Sequence, residues 1–367
     1  TVFTGLENLP RGLLLWRGLL QWFGGVGIIV VAMVFLPTLR VGGMQIFRSE
    51  AFETLGKILP RAAEIAQQIS IIYFLLTAVC AASYMVLGLH PFDALVHALT
   101  TVSTGGFSNY DASFGTFQGP AEYVASVFMI LASLPFVRYV QILGGSARPL
   151  FRDVQARDFV GLIAFLVLVV TVYRIYINGD HLEHSFREAI FNVTSIISGT
   201  GYASVDYQLW GNFPIVLFFL IGLVGGCAGS TCCSVKMFRY QILLASIKSQ
   251  IQKIHSPHGV FSPRYDGRPV SEEILSSVIA FFMLFMVSLA IFAILLGMTG
   301  LDMITSISGA ATALANVGPG LGSQIGPSGN FSGLNDPAKW LLIAAMLIGR
   351  LELMSVYVLF TFSFWRR

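Results

Sequence analysis

Charge is what this sequence has least of. Only 11% of its 367 residues are Asp, Glu, Lys or Arg, less than half the roughly 25% usual in soluble domains. The net charge of +3 is small, and no Lys/Arg block is dense enough to follow a phosphate backbone, which argues against a nucleic-acid partner. Cysteine is also scarce. Cys80, Cys227, Cys232 and Cys233 all lie in apolar or Gly-rich segments, which excludes a secreted disulfide scaffold. The last three have no His or acid nearby in sequence, so small apolar filler describes them better than a soft-metal site. No Gly-x-Ser-x-Gly, His-Glu-x-x-His or P-loop lysine motif occurs. Neither an enzyme nor a nucleotide bound by this chain is expected.

Apolar runs are what the sequence has in abundance. Hydrophobic residues make up 55% of the chain, and several runs reach the 18 or so residues that a bilayer crossing requires, as in a polytopic helical membrane protein. The spans predicted are residues 13–37, 66–89, 121–143 (broken by Pro135), 159–177, 274–296 and 340–364. Residues 213–244 form a further apolar stretch, too long for one straight crossing. Its middle, Gly225, Gly226, Cys227, Ala228, Gly229, Ser230 and Thr231, is seven small residues in a row. Non-helical backbone at membrane depth is tolerated only against protein or a water-filled cavity, so this break is expected to line a conduit.

Three further apolar segments are too short to cross: residues 91–102, 185–197 and 302–314. Each is followed by a Gly-containing loop: TTVSTGGFS, ISGTGYA and ANVGPG. Span, half-length helix, glycine loop, span is a repeat. It divides the chain into residues 1–61 (closing span of an incomplete first repeat, with a connection), 62–158, 159–270 (carrying the broken helix) and 271–367. Thr1 falls in a register that reads as the middle of a domain, so a first loop upstream of Thr1 is expected. The connections between units carry Arg40, Arg48, Lys57, Arg148, Arg152, Arg157, Lys236, Arg239, Lys248, Lys253, Arg264 and Arg268. By the positive-inside rule they face the cytoplasm and the glycine loops face outward.

A dehydrated monovalent cation needs oxygen ligands in place of water, and backbone carbonyls supply them without net charge. Glycine permits the φ/ψ values that aim successive carbonyls at one axis. A half-helix ending at the loop directs its partly negative C-terminus there. The candidate ion-binding residues are therefore Ser103, Thr104 and Gly105; Ser198, Gly199, Thr200 and Gly201; and Asn316, Val317 and Gly318. The hydroxyls are expected to ligate the ion or brace the loop.

The stretches LLLWRGLLQWFGGVGIIV, LPTLRVGGMQIFRSE, TTVSTGGFS, LPFVRYVQ, SGTGY, GGCAGSTCCSVKMFRYQ, NVGPG and LIGRLELMSV resemble the TrkH-type subunits of the Trk/Ktr/HKT potassium transporter superfamily along the whole chain. The resemblance implies four pseudo-symmetric units around one pore in the bacterial inner membrane, with K+ as the permeant ion. Gly105, Gly201 and Gly318 match the family's filter glycines. Residues 225–236 match its intramembrane gating loop, with Cys232, Cys233 and Ser234 where small residues are usual. Arg350 matches an arginine acting as an electrostatic barrier below the filter; an internal salt bridge to Glu352 or another acid is the other reading, compatible with the first. A homodimer, surrounding lipid and a cytosolic TrkA-type nucleotide-binding ring are the implied partners. A sodium-permeable or cation-coupled member remains the alternative, as do a carrier with alternating access and, in another class, a membrane-embedded enzyme using Cys232, Cys233 or His97. Asp93 and Asp302 are read as helix caps, and His97, His181, His184, His255 and His258 as packing or surface groups.

Overall fold

A computed structural model describes residues 2–34, 42–44 and 60–366. Residues 35–37 of the first predicted span, and Arg40, Arg48 and Lys57 of its connection, lie outside the described residues. So do most of the LPTLRVGGMQIFRSE stretch and Arg367.

Helix α1 (Arg11–Val34) is followed by α2 (Pro60–Val86). The half-length α3 (Pro91–Val102) then begins with proline in its first turn and ends at the first glycine loop. The next predicted span is two helices, α4 (Pro120–Ser133) and α5 (Phe136–Leu143), bent by 89°. Pro135 drives Leu134 into extended backbone (φ −84°, ψ 158°), because a proline ring disfavours helical geometry in the residue before it. Helix α6 (Val154–Tyr173) continues as a π-turn to Asn178. The second half-length helix, α7 (Leu182–Ile197), starts three residues earlier than predicted and ends at the second loop. Helices α8 (Asn212–Gly222) and α9 (Met237–His255) are separated by irregular backbone. The long α10 (Glu272–Met298) precedes the third half-helix, α11 (Met303–Ala315).

The last predicted span is not continuous. It is α12 (Asp336–Arg350) and α13 (Leu353–Leu359), bent by 110° around Leu351 and Glu352. Glu352 takes φ +59°, which side chains with a Cβ avoid. Its carboxylate is drawn inward to Lys236 at 2.7 Å and Arg239 at 2.6 Å.

Among the described residues four helices are long and apolar enough to cross a bilayer, or up to six crossings if each bent pair counts as one. Each half-helix packs against its own preceding span and against a helix of the previous unit. Helix α3 lies on α2 and α1, α7 on α6 and α4, and α11 on α10 and α8. The same neighbour relation recurs for all three half-helices. The apolar core falls into clusters that bridge neighbouring helices: Tyr73, Val102, Phe114 and Phe136 with Phe191 and Tyr202 in one, Phe159, Val170, Val193 and Phe218 with Ala315 and Val317 in the next, Phe285, Leu314 and Leu342 in a third.

Asp302 caps α11 as expected, accepting from the Thr305 amide at 3.2 Å. Asp93 does something else. The cap of α3 is His90, whose ring accepts from the Phe92 amide. The Asp93 carboxylate accepts from Asn109 at 2.7 Å and from the Tyr110 hydroxyl at 3.0 Å, so it pins the segment leaving the first loop. Asp302→Ala is expected to cost about 1 kcal/mol, as lost caps do. Hydrogen bonding to Thr305 holds the Asp302 carboxyl below its ordinary range. A depressed carboxyl stabilises above the unfolded-state value and loses that contribution as pH falls through the folded one. Thermal melting should separate wild type from Asp302→Ala at neutral pH, and the gap should narrow in acid.

Candidate functional site

The three glycine loops share one hydrogen-bonding scheme. The amides of Gly105 and Gly106 both donate to the Thr100 carbonyl, at 2.8 and 3.3 Å. Those of Thr200 and Gly201 both donate to Ser195 O, at 2.9 and 3.2 Å. Val317 donates to Thr312 O at 3.0 Å and Gly318 to the Thr312 hydroxyl at 2.9 Å. In each loop the two residues flanking the middle position are left-handed: Thr104 and Gly106, Gly199 and Gly201, Asn316 and Gly318.

This corrects the register read from the sequence. The counterpart of Gly201 and Gly318 is Gly106, whereas Gly105 corresponds to Thr200 and Val317. Two adjacent glycines hid the choice; the shared acceptor and the sign of φ decide it. Gly105 has a different neighbour, Gln21 of α1. The Gln21 amide nitrogen donates to Gly105 O at 2.6 Å, and its oxygen accepts from the Phe107 amide at 3.0 Å.

The loops meet one another. A Cβ on Gly106 would lie 2.9 Å from the Thr200 carbonyl carbon and closer still to its oxygen. A Cβ on Gly201 would lie 3.0 Å from the Val317 carbonyl carbon and again closer to the oxygen. The first loop thus stacks on the second, and the second on the third. Among the described residues the Thr200 and Val317 carbonyl oxygens accept no hydrogen bond. All three loops border one cavity of about 110 Å³, with Arg17, Asp111, Phe107 and Pro319 also on its wall. That volume holds several waters.

The loop hydroxyls brace. Ser103 donates to Thr100 O at 3.3 Å, Ser198 to Ser195 O at 3.1 Å, and Ser198 and Thr200 share a hydrogen bond of 2.7 Å. Tyr202, wholly buried, joins the loops by donating to His97 O at 3.3 Å. His97 is a packing group as expected: its ring bonds Asp93 O at 2.8 Å and the Ser108 hydroxyl at 3.0 Å.

The irregular stretch between α8 and α9, residues 223–236, lies against the first two loops and the end of α11. Thr104 donates to the Thr231 hydroxyl at 3.0 Å. A Cβ on Gly199 would be 3.9 Å from the Cys233 amide. The Ser234 amide donates to Ala315 O at 3.1 Å. Of the residues singled out from sequence, Gly225, Gly226, Cys227, Ala228, Gly229, Ser230 and Thr231 all belong to this stretch. Those nearest the loops are Thr231 and, from the part of the matched loop beyond it, Cys233 and Ser234. Left-handed Gly225 is forced by crowding: a Cβ there would sit 2.8 Å from the Ser234 side chain. Cys227 and Cys232 are buried and Cys233 half-buried, all as free thiols.

Arg350 lies beside this stretch. It donates to the Cys233 sulfur and, at 3.4 Å, to Gly24 O of α1. The salt bridge to Glu352 considered from sequence is not formed; Glu352 is held by Lys236 and Arg239 instead.

Helix bundle, half-helices and converging glycine loops define a polytopic membrane transport protein. The chain matches the TrkH family, described as cation transport proteins, over residues 1–365. It is 44% identical to the Trk system potassium uptake protein TrkI of Halomonas elongata, over the whole chain and 75% of that protein. It is 35% identical to the Trk system potassium uptake protein TrkH of Escherichia coli K12, over 76% of that protein. The crystal structure of the potassium transporter TrkH from Vibrio parahaemolyticus superposes with a TM-score of 0.90 at 32% identity, covering the whole chain and 75% of that one. The chain belongs to the TrkH family. It is a transport protein and not an enzyme.

Proposed function

We propose that this protein takes up K+ across the bacterial cytoplasmic membrane by permeation through the glycine loops. The observation that carries the reading is the repeated loop geometry. Three loops with one wiring scheme stack glycine against carbonyl, and carbonyls at the contacts accept no hydrogen bond among the described residues. Carbonyls left unpaired at membrane depth are costly, and a permeating cation or its water satisfies them. The names of the relatives, potassium uptake proteins, favour K+ as that cation.

In this reading Ser103, Thr104, Gly105 and Gly106, Ser198 to Gly201, and Asn316 to Gly318 form three sides of a selectivity filter, and residues 1–61, 62–158, 159–270 and 271–367 are the pore repeats. Residues 223–236 are the gate beneath it. Arg350, hydrogen-bonded to Cys233 of that loop, sets a positive charge beside the path. The glycine loops face the outside, and a cytosolic TrkA-type nucleotide-binding ring docks on the opposite side of the protein. The pore subunit itself pairs as a homodimer.

Isotope uptake into vesicles holding the full-length protein tests this. Rubidium and K+ should enter and Na+ should not; equal Na+ flux would favour the sodium-permeable alternative, and slow stoichiometric coupling a carrier. Arg350→Gln should raise K+ flux several-fold, since it removes a fixed cation from the path and its tether to the gate. Unchanged flux in that variant would remove Arg350 from the barrier.

A further inference from the structure

The elbow between α4 and α6 grips the irregular stretch from two sides. The Cys227 amide donates to Ser133 O at 3.0 Å and the Thr231 amide to Ala132 O at 3.3 Å. From α5, the Phe136 amide donates to Gly229 O at 2.9 Å. From α6, the Gln155 side chain accepts from the Ala228 amide at 3.0 Å. The base of the elbow is itself fixed. Asp153 caps α6 through the Ala156 amide at 3.0 Å and binds Arg138 at 2.7 Å.

The tip is built differently. Helix α5 runs at 89° to α4, so it lies along the bilayer plane when α4 enters it. Phe136 and Val140 face inward, while Leu143 is 63% and Phe151 77% exposed. Between and beside them Arg148 and Arg152 are exposed, and among the described residues neither has an acidic partner. The nearby acids are engaged: Asp153 by Arg138, and Asp158 by Gln241 at 2.8 Å and Arg157 at 3.8 Å. Exposed aromatic and aliphatic tips flanked by exposed arginines at the end of membrane helices suit the headgroup boundary. Apolar groups enter the acyl region there, and guanidinium forks meet lipid phosphate.

We propose that Leu143, Arg148, Phe151 and Arg152 bind anionic phospholipid headgroups of the leaflet away from the glycine loops. The occupied tip bears on residues 227–231 through the four hydrogen bonds at its base. The lipid site stands on its own; its effect on flux rests on the ion pathway proposed above.

The test uses full-length protein in phosphatidylcholine vesicles with and without phosphatidylglycerol. Spin-labelled phosphatidylglycerol and phosphatidylcholine report lipid binding, and rubidium uptake reports transport. Wild type should prefer phosphatidylglycerol and change its flux when that lipid is added. The Arg148→Gln/Arg152→Gln double variant should lose the preference several-fold, and lose the flux response while keeping its flux in neutral lipid. Lys248→Gln/Lys253→Gln, on the exposed side of α9, should keep both. An equal phosphatidylglycerol preference in wild type and double variant overturns the site. A lost preference with an unaltered flux response overturns the coupling. A double variant that keeps its lipid preference but no longer binds a cytosolic partner makes the tip a protein-docking surface, which also overturns the proposal. Absence of ion flux in every lipid counts against the ion pathway alone, because lipid binding is read independently.

Discussion

Gly201→Ala is expected to abolish K+ selectivity and cut rubidium uptake at least tenfold without unfolding the protein. Gly201 sits at φ +76°, where an L side chain costs roughly 1–2 kcal/mol. The larger consequence is steric. The new Cβ would lie 3.0 Å from the Val317 carbonyl carbon, nearer its oxygen, and 2.9 Å from the Pro319 ring. One of these must move, and a carbonyl displaced by about an ångström no longer matches a coordination shell of fixed radius. Gly106→Ala should behave the same way, since its Cβ meets the Thr200 carbonyl. Gly105→Ala should be milder for selectivity, because Gly105 is not left-handed and the nearest atoms its Cβ meets belong to Gln21 of α1, 2.9 Å away at the Gln21 Cβ, rather than to a loop carbonyl. Uptake of rubidium against sodium by the three variants, with melting temperatures recorded beside it, checks the order. If Gly105→Ala were the more damaging of the first-loop pair, the register assigned from the backbone would be wrong.

Glu352→Gln should be among the most destabilising single changes away from the loops. Its carboxylate is the shared partner of two buried cations, Lys236 and Arg239. Arg239 is completely buried, 3.6 Å from the Phe281 ring centroid, and also donates to Gly42 O and Val235 O. Neutralising the acid strands both charges, and breaking a buried pair in this way typically costs about 3–5 kcal/mol. Lys236→Met should cost much less, because it leaves one cation facing one anion. Thermal unfolding in detergent separates the two variants. The same triad joins the end of the irregular stretch at Lys236 to the bend between α12 and α13. Glu352→Gln should therefore also raise basal flux in the fraction that folds, by loosening the stretch from below.

Much of this architecture is legible in the chain itself because its signals are local. Half-length apolar runs before glycine loops announce α3, α7 and α11. Pro135 announces a break, and seven small residues announce the non-helical backbone between α8 and α9. What escaped sequence reasoning depends on distant partners. The bend at Glu352 follows Gly349 by only three residues, but its direction depends on two cations from more than a hundred residues away. Asp93 has the placement of a cap, but Asn109 and Tyr110 claim it once the loop returns. Gly106 and Gly105 are indistinguishable in a Gly-Gly pair until the Thr200 carbonyl is packed against one of them. The hydroxyls of Ser103, Ser198 and Thr200 could have been ligands or braces, and only their partners inside the loops make them braces.

The claim everything else leans on is that main-chain oxygens of these loops hold the ion. Anomalous diffraction from crystals of the full-length protein grown in rubidium or thallium salts tests it most directly. A peak where the three loops meet, within coordination distance of the Thr200 and Val317 carbonyls and absent in Gly201→Ala, is the predicted result. A peak seated instead on carboxylates such as Asp111, with none between the loops, would contradict it.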